Sequence, residues 1–307
     1  MPDDIPNPAM RPAKSDCPMN APPMNLIAPP KRFRVWRLGI LLAVIVAPLA
    51  WLTFVANQHL LIVWENNQRR NTTQNFQQIA FALGNFQLQC RRLPSAIQHG
   101  WSDNHNWPND GEPEGEPLYS WRFTMIPMVA SYKMDTVFNE PWNSPAHARW
   151  RTVPQPYAYD GWGQGVFDER DPATVPTITR AFAITGPGTA FGNGNTEKPR
   201  SLAEIDADTI IVVEVANSGL HWMAPGDFDV RDMPQTINDP AGRGISSRYK
   251  DGFHVVFSDG TVWYLSNRVP FTALARFFTV EGARSNDRQT VLGPYLIESL
   301  AFREPWW

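Results

Sequence analysis

The chain has 307 residues, of which 43% are hydrophobic and 19% charged, enough for one or two domains with a substantial core. A formal net charge of -3 gives no electrostatic case for a nucleic-acid partner. The two cysteines, Cys17 and Cys90, form no C-x-x-C pair, so the sequence offers no zinc spacing.

Residues 1 to 30 hold nine of the 29 prolines and show no hydrophobic period. Such a composition buries too little surface to offset its ordering entropy, so residues 1-35 are expected to be a disordered tail. From Leu38 to Trp64 there is no Asp, Glu, Lys or Arg, and Lys31, Arg32, Arg34 and Arg37 stand just before the run. About 20 apolar residues suffice to span a bilayer, so residues 36-64 are expected to be a single-pass transmembrane anchor. Cations near a membrane segment favour the cytoplasm, and only Arg69 and Arg70 follow closely, beside Glu65. The expected topology is therefore a cytoplasmic N-terminus and an extracytoplasmic C-terminal domain, with Cys17 and Cys90 on opposite sides. A cleaved signal peptide fits less well, because the apolar run is long, starts late and ends without a small-x-small site.

Residues 65-92 continue the helix, with Phe76, Ile79, Leu83, Phe86 and Cys90 forming one apolar stripe at spacings of three and four. Leu93-Pro94 should end it, since the residue before a proline avoids helical angles. Residues 93-307 change character, with short apolar runs between Pro and Gly turn signals. Thr177 to Thr185 alternates in part, and Thr209 to Val215 is dense in β-branched residues. Asp259-Gly260 separates Phe253–Ser258 from Thr261–Ser266, predicting a hairpin with a two-residue type I′ turn. That turn puts Val255, Phe257, Val262 and Tyr264 on one face. A short amphipathic helix is expected from Pro270 to Phe278, with Thr272 as its cap. The predicted fold class is α+β, an antiparallel β-sheet packed against the outer half of a long N-terminal helix.

Six segments in order carry a family resemblance: FQQIAFALGNF (Phe76 to Phe86), SWR (Ser120 to Arg122), NEPWNSP (Asn139 to Pro145), ITGPGTA (Ile184 to Ala190), VVEVANSGLHWM (Val212 to Met223) and VVFSDGTV (Val255 to Val262). On these the chain resembles the membrane-anchored, pilin-like proteins of planctomycete bacteria known by domain of unknown function 1559. The resemblance implies a pilin-like fold and pilin-like or other envelope proteins as partners. Typical relatives begin with Gly-Phe-Thr-Leu-Ile-Glu, whose glutamate assists filament assembly. Here Val44 stands where that glutamate would follow Gly39, so the N-terminal segment is expected to remain as a fixed anchor. Relatives also carry a histidine ten residues before the Asp-Gly; here that position is Tyr249, while His254 lies inside the strand.

Glu214, His221, Asp227 and Asp229 fall within sixteen residues and mix imidazole with carboxylates, the donor types that hold metals. Their spacing matches no metal motif. The simpler expectation is a strand end and a polar loop, with Glu214 accepting backbone donors and His221 packed beside Trp222. The loop from His99 to Glu116 has two histidines and five carboxylates but no EF-hand spacing. GPGTAFGNG, from Gly186 to Gly194, lacks the Gly-Lys-Ser/Thr of a phosphate loop, and there is no Gly-x-Ser-x-Gly elbow. The sequence thus names no catalytic residue and no cofactor. It predicts a non-catalytic, single-pass membrane protein with a structural or interaction role in the cell envelope. The alternative is an anchored module that binds a ligand or metal, using Glu214 and His221.

Overall fold

A computed structural model of the chain describes residues 33–99, 117–129, 140–152, 156–160, 177–192, 199–239 and 244–300. The proline-rich tail and most of the acidic loop after His99 lie outside the described residues. By its internal contacts the chain divides after His59 into two units, Met1–His59 and Leu60–Trp307.

In the first unit every described residue belongs to helix α1, Phe33–Cys90, which continues through Pro48. From Leu42 onward α1 is long and apolar enough to cross a membrane, and none of its most apolar window is buried. Leu42, Val44, Ile45, Leu49, Trp51 and Phe54 are all more than half exposed. The pattern persists at the start of the second unit, where Leu60 to Trp64 are exposed in succession. An amphipathic surface helix would have covered one side of this run.

Farther along α1 the stripe is covered: Phe76, Ile79, Leu83 and Phe86 are fully buried. The helix ends at Cys90, where Arg91 turns left-handed with φ +62°, and the Arg91 amide donates to the Gln87 carbonyl at 2.8 Å. A short pair, β1 (Ile97–Gln98) and β2 (Tyr119–Ser120), leads into α2 (Trp121–Thr124), whose N-cap is the Ser120 hydroxyl.

The remaining strands form a six-stranded sheet: β3 (Ala181–Thr185), β4 (Ile210–Glu214), β5 (Phe228–Asp229), β6 (Gly252–Phe257), β7 (Val262–Ser266) and β8 (Leu296–Leu300). Their order is β5-β3-β4-β6-β7-β8, antiparallel apart from the β3/β5 pair. The chain is thus α+β, with a long N-terminal helix and a mixed sheet. One face of the sheet, with Ala181, Ala183, Val256 and Val262, joins the α1 stripe in a single core. The other, with Phe182, Val213, Phe253, Val255, Phe257 and Trp263, is closed by Leu274, Phe277, Phe278 and Ala283 of the C-terminal helical segment. Strands covered on both faces lose polar alternation, and β3, β4 and β6 are buried at every position.

The hairpin differs from its expected form. The Phe257 amide donates to the Thr261 carbonyl at 2.9 Å and the Gly260 amide to the Phe257 carbonyl at 3.0 Å, leaving a three-residue loop. Gly260 has φ +81°, whereas Asp259 is not among the residues with positive φ. This is a turn followed by a left-handed glycine, not a two-residue type I′ turn. The extra residue shifts register by one, so Val255 faces Trp263 and Val256 faces Val262. Val255 and Phe257 therefore lie on the face opposite Val262, because a one-residue slip exchanges the two faces of a strand. Asp259 fixes the turn through the Thr261 amide (2.8 Å) and accepts from Arg288 at 2.5 Å. The helix after Pro270 runs Phe271–Leu274 with a 3-10 turn to Phe277; Thr272 lies inside it and does not cap it.

Candidate functional site

The four residues singled out as metal-ligand candidates do not converge. Among the described residues no group of three His, Cys, Asp or Glu side chains could hold a metal ion. Asp229 is paired to the exposed Arg231, whose guanidinium donates at 2.9 and 2.6 Å, and these bonds hold its carboxyl below the usual range. His221 stacks on Trp142 (centroids 5.0 Å apart) and on Trp222 (6.0 Å). Its Nδ1 accepts from the Met223 amide and its Nε2 lies 3.1 Å from the Arg151 carbonyl, which requires the neutral Nε2-H tautomer. Burial lowers its pKa in keeping with that state.

Asp227 belongs to a different arrangement. The Arg122 guanidinium is fully buried and donates to the Asp227 carboxylate at 2.8 Å and to the carbonyls of Ala181, Trp222, Ala224 and Gly226 at 2.8 to 3.3 Å. The same carboxylate oxygen accepts from the Trp121 indole (3.1 Å) and the Ala183 amide (2.7 Å). Burial raises the Asp227 pKa while Arg122 opposes the rise. Saturated donors of this kind offset the desolvation of a buried ion pair and tie the loop after Trp222 to α2 and β3.

Glu214 lies in the feature that sequence reasoning missed. It ends β4 with no exposure, and its Oε2 is 2.7 Å from His254 Nδ1 and accepts the His254 amide at 3.1 Å. Its Oε1 accepts from the Ser247 hydroxyl at 2.7 Å. On the far side of the ring, His254 Nε2 is 3.0 Å from Thr73 Oγ1, and that hydroxyl lies 3.0 Å from the Arg69 carbonyl one helical turn back. Phe76 stacks on the imidazole at 5.6 Å, with 9° between the rings.

Thr73, His254 and Glu214 have the connectivity of a hydrolytic triad, yet no substrate reaches them: they are 2%, 0% and 0% exposed. A nucleophile must also give its proton to the base, and the Arg69 carbonyl competes for the Thr73 proton. The set instead fastens α1 to the sheet. Beside it the Tyr249 hydroxyl meets Thr72 Oγ1 at 3.0 Å, Tyr264 bonds Asp251, and Arg69 lies 3.3 Å from Asp251 and 3.4 Å from Glu298. The legible signal was Thr72-Thr73 at the upward continuation of the Phe76 stripe, where hydroxyls on a buried face call for polar partners.

A polar pocket of roughly 350 Å³ opens next to this network, lined by Asn217, Asn238, Ser247, Arg248 and Lys250 among others. Comparison of the chain with protein-family models, curated proteins and solved structures finds no match.

Proposed function

We propose that this protein is a single-pass, membrane-anchored, non-catalytic protein of pilin-like architecture, with its C-terminal domain outside the cytoplasm and a structural or interaction role in the envelope. The observation that carries the reading is the change of side-chain exposure along α1. Side chains such as Leu49, Leu52, Phe54 and Leu60 to Trp64 stay exposed, while Phe76, Ile79, Leu83 and Phe86 are buried on the sheet. Exposed apolar surface on all sides of a helix is stable in lipid and costly in water. Pilin-like architecture rests on the order of parts, a helix apolar first and amphipathic afterwards, followed by a sheet on its outer half, and on the ordered sequence segments from Phe76 to Val262. The non-catalytic part rests on the burial of Thr73, His254 and Glu214, the triad-like set found among the described residues.

The cation bias before Leu38 supports the orientation. Protease added to spheroplasts should digest residues beyond Trp64 and spare the proline-rich tail; digestion of the tail with a protected domain would reverse the topology. A second reading, an anchored binding module, is favoured by the polar pocket beside Tyr249, whose ligand chemistry differs from the metal site first considered.

A further inference from the structure

Trp64 closes the second apolar run of α1, Leu60 to Trp64, and is 54% exposed. In a membrane-anchored helix this is where an interfacial tryptophan belongs. The Arg248 guanidinium lies over the Trp64 ring, 5.5 Å from its centroid, and 5.6 Å from that of Tyr249. Arg248 and Lys250 are also two of the residues that line the polar pocket. The pocket therefore borders the point at which the helix leaves its apolar stretch.

The walls are built by hydrogen bonds. Asn238, at φ +49°, accepts the Ser247 amide at 2.6 Å and bonds the Asn267 side chain. Asn267 in turn donates to the Lys250 carbonyl at 2.6 Å. The Ser247 hydroxyl is held by Glu214, so the pocket rests directly on the Thr73–His254–Glu214 set. Asp239 lines the pocket too, leaving two cations against one carboxylate and a net positive lining. Lys250 is exposed and makes no ion pair among the described residues. With the wall amides and the Ser247 hydroxyl already bonded, the Arg248 guanidinium and the Lys250 ammonium are the lining groups suited to phosphate oxygens.

From this we infer that the pocket binds the phosphate of an anionic phospholipid headgroup, seating the domain on the bilayer surface. The inference rests on the anchor reading for its choice of lipid over a soluble phosphate. Each basic side chain near a membrane surface strengthens binding about fivefold.

The test is native mass spectrometry of the full-length chain in detergent, titrated with phosphatidylglycerol, phosphatidylcholine or inorganic phosphate. Phosphatidylglycerol should be retained in preference to phosphatidylcholine. Lys250→Ala should weaken retention about fivefold and the Arg248→Ala, Lys250→Ala double variant about 25-fold, while Arg149→Ala, outside the pocket, should change nothing. Lys250 is exposed, so its single variant decides the matter even if removing Arg248 disturbs folding. Unchanged retention in Lys250→Ala, or inorganic phosphate competing at the lipid's own concentration, would overturn the proposal. A chain that leaves membranes in alkaline carbonate yet binds phosphatidylglycerol through Lys250 would reject the anchor and keep the pocket.

Discussion

His254 Nδ1 and Glu214 Oε2 stand 2.7 Å apart with neither side chain exposed, joining the middle of β6 to the end of β4. On its other side the same imidazole reaches Thr73 of α1. Three elements distant in sequence thus meet at one ring. Glu214→Ala should cost about 3–5 kcal/mol in denaturant unfolding, the range for breaking a buried pair. Thr73→Val, nearly the same shape, should cost about 1–3 kcal/mol by leaving the buried His254 Nε2 without its partner. Stability unchanged in both variants would mean that the network does not hold the helix to the sheet.

The α1 stripe should behave as core. Leu83 is fully buried, and Leu83→Ala should cost about 2–5 kcal/mol, whereas Asn85→Ala, off the stripe, should stay within about 0.5 kcal/mol. Equal losses by thermal melting in detergent would place the stripe elsewhere.

At the hairpin, Gly260 has φ +81°. Gly260→Val should destabilise by about 1–2 kcal/mol, since a β-branched residue resists the left-handed region, and Gly260→Asn should recover most of the loss. A valine variant that melts with the wild type would contradict the three-residue turn.

Burial lowers the pKa of both His147 and His221. A histidine with a folded-state pKa below its unfolded value stabilises the fold above about pH 6.5, and that contribution is lost as pH falls through the folded value. Stability should therefore decline on acidification below about pH 6.5. His221→Phe, which keeps a ring against Trp142, should flatten that decline. A variant with the same pH slope as the wild type would assign the effect to other groups.

Most of the architecture could be read from residue patterns. The uncharged apolar segment and the Phe76 stripe follow from composition and a 3.6-residue period, and both occur where expected along α1. The β-branched run at Thr209 to Val215 and the runs around Asp259-Gly260 became β4, β6 and β7. Register was not legible, because Asp-Gly serves both two- and three-residue loops and only the closing hydrogen bond of Phe257 with Thr261 distinguishes them. That one-residue ambiguity also hid His254, which shares its sheet face with Val256 and so points to α1. Glu214 stands near His221 and Asp227 in sequence, a grouping that strand geometry does not make. Its partners, Ser247 and His254, are 33 and 40 residues away.

Membrane anchoring through α1 is open to one direct measurement. Membranes carrying the full-length chain should be washed with alkaline carbonate and the retained protein weighed intact. The exposed apolar side chains of α1 up to Trp64 and the absence of a carboxylate at Val44 predict that the chain stays in the pellet at full length, with Met1 to Arg37 still attached. Full-length protein released to the supernatant would contradict membrane anchoring, and a retained chain beginning at Ile40 would replace the fixed anchor with a processed, pilus-type subunit.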